Sequence, residues 1–314
     1  MSYFEVTCMN SMELSNYLEQ VRYGRKLTQE EFVDGIVSLR QYQRYRSGEC
    51  EIPYENLQRF ADKLGIPTKK LLNEFERKKN LQARMINDFY NAVVNKDTAA
   101  IKDLKNKIEK DIVIDQEKKV FYQHALIIHD NYFEKISDSE AAKKNAQLIN
   151  YPAVLKNKYF TDIEILILSS LLNFLPVTEQ TPILDRLSEL FEDESNIMSG
   201  ENDLIYTTIL MRLSRSFGMQ KNFPQVIRFC DLGIQRGKTY KQYYLWDYFY
   251  YYRALAYFKL EDYQNFEESL FKCYSVLQME DNPKKTELFT GYIDKDFGIN
   301  LHNFAIKYLK KEIL

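Results

Sequence analysis

Glycine and proline are scarce in this chain, 10 and 7 of 314 residues, and Gly-centred hairpin signals are nearly absent. That shortage argues against a hairpin-rich β fold and, with Leu, Lys, Glu, Asn and Tyr abundant, favours helix. Cysteine is as sparse. Cys8, Cys50, Cys230 and Cys273 are widely separated, with no CxxC and no pairing suggested by spacing. No disulfide framework is implied, and free thiols in a reducing compartment are the simplest account. No segment approaches the ~18 apolar residues of a membrane span. The N-terminal MSYFEVTCMNS carries Glu5 where a signal peptide has a basic region, so a cytoplasmic location without membrane contact is expected. Enzymatic signals are missing as well. His124 and His129 stand without a zinc-protease glutamate, His302 is isolated, and neither a GxxxxGK[ST] phosphate loop nor a GxSxG elbow occurs. No enzyme activity, cofactor or metal is expected.

What remains is ordinary for a folded protein: 45% hydrophobic residues, 28% charged and a net charge of −2. The length predicts two domains, or one domain with a repeat array attached. The 24 Tyr and 20 Phe are unusual. They serve either packing between helices or an aromatic groove for an extended ligand.

In MELSNYLEQVRYGRKLTQEEFVDGI, Leu14, Leu18 and Val21 fall on one stripe of an amphipathic helix ending near Gly24. Thr28 and Glu31 have capping-box spacing for a second helix, with Phe32 and Ile36 on its apolar face. SLRQYQRYRSGE follows at once, with Ser38 and Gln41 again at capping-box spacing and Gly48 as the stop. Two helices so close in sequence cross steeply, as in a helix-turn-helix, where the second enters a DNA major groove N-terminus first. Pro53 opens the next helix, with Leu57, Phe60, Ala61 and Leu64 as its stripe and Gly65 at its end. IPTKKLLNEF then closes the bundle through Leu71, Leu72 and Phe75.

These residues carry a specific resemblance. LTQEEF, the S-x-x-x-x-x-R helix with its terminal Gly, and the later LQRFADKLGI together resemble the Cro/repressor, or XRE-type, helix-turn-helix domain over residues 13 to 75. The resemblance implies that Leu39, Arg40 and Arg44 read bases and that Gln29 bonds a phosphate. It also implies that Gln43, Arg46 and Ser47 flank the groove, with the cap Ser38 also among the DNA-contacting residues. Arg suits guanine because its fork meets O6 and N7 together. Two departures stand out: the turn GIVS is one residue short, and Arg46 replaces a glutamate that commonly ends this helix. The ion pair that many relatives make with Arg22 is then absent, leaving two arginines to repel or to share a phosphate. Residues 1–80 hold 13 Lys/Arg against 12 Asp/Glu. So neutral a domain binds DNA weakly alone, which favours a homodimer on two half-sites about 34 Å apart.

After a charged helical connection at residues 76–84, helix pairs with short polar breaks are predicted from residue 85 to 314, and no strand is needed. The breaks fall near 95–98, 112–116, 137–139, 175–181, 196–202, 220–223, 237–241, 261–263 and 281–284. LMRLSRSFGMQKNFPQVIRFCDLGI and YYRALAYFKLEDYQNFEESLFKCYSVL repeat with a period near 40. Each places an aromatic on either side of its turn, and Ser214 and Ala254 are the small residues that allow close helix approach. MINDFYNAVVNKDTAAIKDLKNKI is a weaker copy. These segments resemble degenerate tetratricopeptide units, whose stacked pairs present a concave surface to peptides. YKQYYLWDYFYYYRALAYF is the candidate wall, with Tyr248, Tyr251 and Tyr252 not all able to face inward. Arg212, Arg215 and Arg253 sit on apolar helices and need an anionic partner, either an internal carboxylate or a ligand's. Asn173, Asn300 and Asn303 either clamp a peptide backbone through their amides or are surface residues.

The expected fold is therefore all-α, a Cro/repressor-type helix-turn-helix bundle followed by a tetratricopeptide-like α-solenoid. The combination resembles the peptide-pheromone-responsive regulators of Gram-positive bacteria of the Rgg, PlcR and PrgX type. That resemblance implies a dimeric transcription factor that binds a double-stranded DNA operator and is switched by a short signalling peptide. The alternative keeps DNA binding and uses the repeats for dimerisation or for a protein partner, as in phage or plasmid regulators.

Overall fold

The computed structural model describes residues 11–192, 196–198 and 203–313; Cys8 and part of the expected 196–202 break lie outside them. The chain divides into two compact units, Met1–Lys135 and Ile136–Leu314.

The first unit contains α1 (Ser11–Gly24), α2 (Gln29–Val33), α3 (Leu39–Ser47), α4 (Tyr54–Lys63), α5 (Thr68–Val94), α6 (Thr98–Ile108) and α7 (Gln116–Tyr132). Its core is aromatic: the Phe32, Tyr42 and Phe60 rings meet pairwise at 5.7, 4.8 and 5.6 Å. Leu18, Leu57 and Phe75 complete it, each side chain contributing about 1.5–3 kcal/mol by leaving water. The Thr28–Glu31 capping box forms in full. At α3 only half of one forms: Ser38 Oγ accepts from the Gln41 backbone at 3.1 Å, while the Gln41 amide turns away to Cys50 Sγ. Gly48 ends α3 at φ +78°, and Gly65 at φ +64° follows α4, both left-handed positions that glycine takes without strain.

α5 runs unbroken through residues 76–84, and that stretch is held to the rest of the first unit. Lys79 pairs with Glu13 at 2.7 Å and with Asp115 at 3.4 Å. The buried Gln82 amide donates to Ile112 O at 2.9 Å and accepts from Ile114 N at 3.0 Å. The compact unit thus continues to Lys135, taking in the helices that the sequence pattern groups with the repeats.

The second unit begins with α8 (Asp138–Leu148), a 3₁₀ turn (Ala153–Lys156), β1 (Phe160–Thr161), α9 (Asp162–Phe174), a second 3₁₀ turn (Val177–Glu179), α10 (Thr181–Leu190) and β2 (Ile197–Met198). It continues with α11 (Asp203–Met219), α12 (Phe223–Tyr240), α13 (Trp246–Lys259), α14 (Tyr263–Glu280), α15 (Pro283–Phe297) and α16 (Leu301–Ile313). Against the expectation of no strand, β1 and β2 pair in parallel, two residues each, too short to leave a period in the sequence. α11 packs against α9, α12 and α13, and α13 packs against α14, so the first helices of successive pairs adjoin. Ser214 and Ala254 are fully buried at these contacts.

The expected break at 237–241 moves to 241–245, because α12 continues to Tyr240. Gly233 and Gly237, one turn apart, give α13 a close approach instead of ending the helix. A Cβ on Gly233 would lie 2.2 Å from the buried Phe249 ring, and one on Gly237 would lie 2.5 Å from Gln242 O. Gly237→Ala is expected to destabilise the protein by about 1–3 kcal/mol, read as a lower urea midpoint; an unchanged midpoint would show that this packing tolerates a Cβ.

Candidate functional site

α3 is anchored by its inner face. Tyr42 and Tyr45 are buried, and Tyr45 Oη accepts from Asn56 at 3.1 Å. A turn through Gly35 (φ +72°) sets α3 against α2. With both tyrosines inside, Ser38, Arg40, Gln43, Arg44 and Ser47 are exposed, and Leu39, Arg46 and Gln29 half-buried. Arg44 is loosely held, 3.4 Å from Glu49, with 48% of its side chain exposed, and Ser47 Oγ also reaches Glu49 at 2.9 Å. Arg40 has no hydrogen bond or ion pair among the described residues. This outward row of guanidiniums and amides fits a polyanion with base edges.

The two arginines do not face each other unpaired. Arg22 makes a two-point ion pair with Glu19, 2.9 Å at each nitrogen, and also donates to Leu27 O. Glu19, absent from the sequence-predicted site, is the hub: Gln29 Nε2 donates to it at 3.0 Å and Tyr42 Oη at 3.0 Å. Gln43 bonds Gln29 at 3.0 Å, and Arg46 reaches Gln43 at 3.4 Å. Burial alone would raise the Glu19 carboxyl, but the bonds from Arg22, Gln29 and Tyr42 hold it below its ordinary value. Burial, with this carboxylate beside it, pushes the Tyr42 phenol well up and keeps it a donor. The only sequence signal was position, since Glu19 and Arg22 are three apart on α1.

In the second unit the sequence-predicted residues do not come together in one place. Asn173 on α9 accepts from Arg215 on α11 at 3.2 Å, and burial pushes the Tyr252 phenol of α13 up, against the pull of the nearby Arg215 charge. The Tyr248 and Tyr252 rings are 6.1 Å apart. This is one row across adjacent helices. Tyr251 points beside it, bonded to Asp296, its ring 5.9 Å from the exposed Tyr292, which the sequence pattern did not single out. Arg212 is buried and donates to Leu166 O at 3.0 Å and Ser169 Oγ at 2.9 Å, so its partner is internal. Arg253 likewise is paired within the unit, with Asp231 at 2.8 Å and Ser269 at 3.0 Å. Asn300 caps α16 through the Asn303 backbone at 3.0 Å, and both are exposed. The aromatic run is also divided: Tyr243, Tyr244, Trp246 and Tyr250 line a separate cleft of about 470 Å³ beside α14.

Among the described residues no cluster of His, Cys, Asp and Glu fits a metal ion, and no helix is long and apolar enough to cross a membrane. The fold defines a helix-turn-helix protein joined to a unit of packed helix pairs. No family model matches the chain, and no curated protein does. Solved structures match over nearly its whole length. The apo form of PlcR from Bacillus thuringiensis has a TM-score of 0.56 at 12% identity, over 96% of this chain and 99% of its own. ComR from S. thermophilus, in complex with DNA and its signalling peptide ComS, has a TM-score of 0.54 at 13% identity, over 91% and 100%. ComR from Streptococcus vestibularis with its cognate signalling peptide XIP has 0.50 at 16%, over 88% and 97%. The chain shares the all-α fold of these regulators.

Proposed function

We propose that this protein is a sequence-specific DNA-binding transcription regulator whose second unit binds a short signalling peptide that switches its activity. The observation that carries the reading is α3: a helix locked by Tyr42 and Tyr45 that turns Arg40, Gln43 and Arg44 outward. The ComR structure solved with both DNA and a peptide supports it by likeness of fold. For the peptide, the row Asn173, Arg215, Tyr252 and Tyr248 offers an amide, a cation and aromatic surface. Arg215 is exposed, and no carboxylate among the described residues lies within ion-pair distance of it, so a ligand carboxylate suits it. The protein acts in the cytoplasm and is not an enzyme. It acts as a homodimer, since one near-neutral domain offers few phosphate contacts and a palindromic site doubles their number. Exposed Ile306 and Leu309 on α16 favour pairing through the second unit.

The test is binding of the full-length protein to its own upstream DNA over a salt series. Specific binding that falls steeply with salt, log K dropping by about 0.9 per phosphate contact for each decade of salt, supports the reading. A salt-independent or sequence-blind interaction would oppose it.

A further inference from the structure

A carboxylate only accepts hydrogen bonds, whereas a primary amide donates at one end and accepts at the other. That asymmetry gives Glu19 a consequence beyond anchoring α1 to α3. Gln29 approaches Glu19 to 3.0 Å, so the approaching end must be Nε2, and its Oε1 then faces Gln43. Gln43 in turn has to present its own Nε2, at 3.0 Å, which leaves its Oε1 on the side of Arg46 Nη1 at 3.4 Å. The relay Glu19, Gln29, Gln43, Arg46 therefore runs in one direction, from the α1 side to the exposed face of α3. Neither glutamine is free to flip while Glu19 is ionised, and the bonds from Arg22, Gln29 and Tyr42 keep it so.

We propose that Glu19 is a specificity-determining positioning residue: it touches no DNA, but through Gln29 it fixes which way the Gln43 amide faces the operator. Held this way, Gln43 keeps one N–H and the second lone pair of its oxygen for a base edge offering an acceptor beside a donor, the pattern of adenine N7 and N6. This rests on the DNA-binding reading above.

Glu19→Gln tests it, since the new amide has nearly the same shape but serves either polarity. Tyr42→Phe removes a different bond to Glu19 and leaves the relay whole. Gln29→Met cuts the relay without touching the Arg22 or Tyr42 bonds, and keeps the test open if Glu19→Gln folds poorly. Each full-length variant is melted, then titrated at equal folded fraction against operator duplexes carrying every base at each half-site position. Glu19→Gln and Gln29→Met should lose discrimination by about fivefold or more at one base pair, the same one lost in Gln43→Ala. Tyr42→Phe should melt lower yet keep the wild-type preferences. If Glu19→Gln and Gln29→Met keep the preference that Gln43→Ala loses, or if Tyr42→Phe loses it equally, Glu19 is only a fold anchor and the proposal fails. No specific binding by the wild-type protein would overturn the DNA-binding reading as well, and so is told apart from failure of the relay alone.

Discussion

An Arg44→Ala protein is expected to bind its operator with the preference at one base pair lost, a discrimination worth about 1–3 kcal/mol. Arg44 leaves the free protein at little cost. Its contact with Glu49 is 3.4 Å long and largely exposed, and such surface pairs contribute about 0–1 kcal/mol. A bidentate contact with guanine outweighs that readily. Gln29→Ala is expected to behave differently, weakening all sequences through the lost phosphate contact and relaxing the Gln43 base pair through the cut relay, while leaving the preference at the Arg44 base pair in place. Operator variants titrated against both proteins separate the two effects. Unchanged affinity and preference in both would mean that α3 is not the reading helix.

The second large effect concerns the peptide. At 100 times its dissociation constant a ligand that binds only the folded protein adds about 2.7 kcal/mol of stability, visible as a raised melting temperature. Arg215→Ala should remove about half of that gain or more. A hydrogen bond to a charged group contributes about 1.5–3 kcal/mol, so its loss weakens binding by about 10- to 150-fold. Arg253→Lys should leave the gain intact, because Arg253 is already committed to Asp231 and Ser269. Equal stabilisation of wild type and Arg215→Ala would move the peptide away from the Asn173–Arg215 row. An effect confined to Arg253→Lys would place it on the other side of α13.

The helix-turn-helix was legible because its determinants are local. Thr28 and Glu31 cap within one turn, Gly48 and Gly65 stop helices, and Tyr42 and Tyr45 share a face by spacing alone. The repeat turns were legible for the same reason. Lys221 with Asn222 and Glu261 with Asp262 each place a left-handed residue before a side-chain cap. Lys96 with Asp97, in the weaker copy, uses the same device. What could not be read depends on partners far along the chain. Gln82 is tied to Ile112 and Ile114, which turns a charged connection into part of the first unit. Gly237 reads as a helix stop until Gln242 O and Trp246 are found against it. Arg212, Arg215 and Arg253 look alike in sequence, yet only the helix neighbours show that two are internally satisfied and one faces outward. In sequence Arg22 lacks the partner that the resemblance implies, because position 46 is an arginine. Glu19, one turn earlier on the same helix, takes that place.

The most direct test of the central claim is binding of the full-length protein to its own upstream DNA, with and without short peptides encoded beside its gene. A peptide-regulated repressor or activator predicts specific binding whose affinity or stoichiometry one peptide changes, with a coupling of about 1–3 kcal/mol between the sites. Specific binding that no peptide alters would leave α3 as the reading helix and contradict the assignment of the second unit, turning it toward dimerisation or a protein partner.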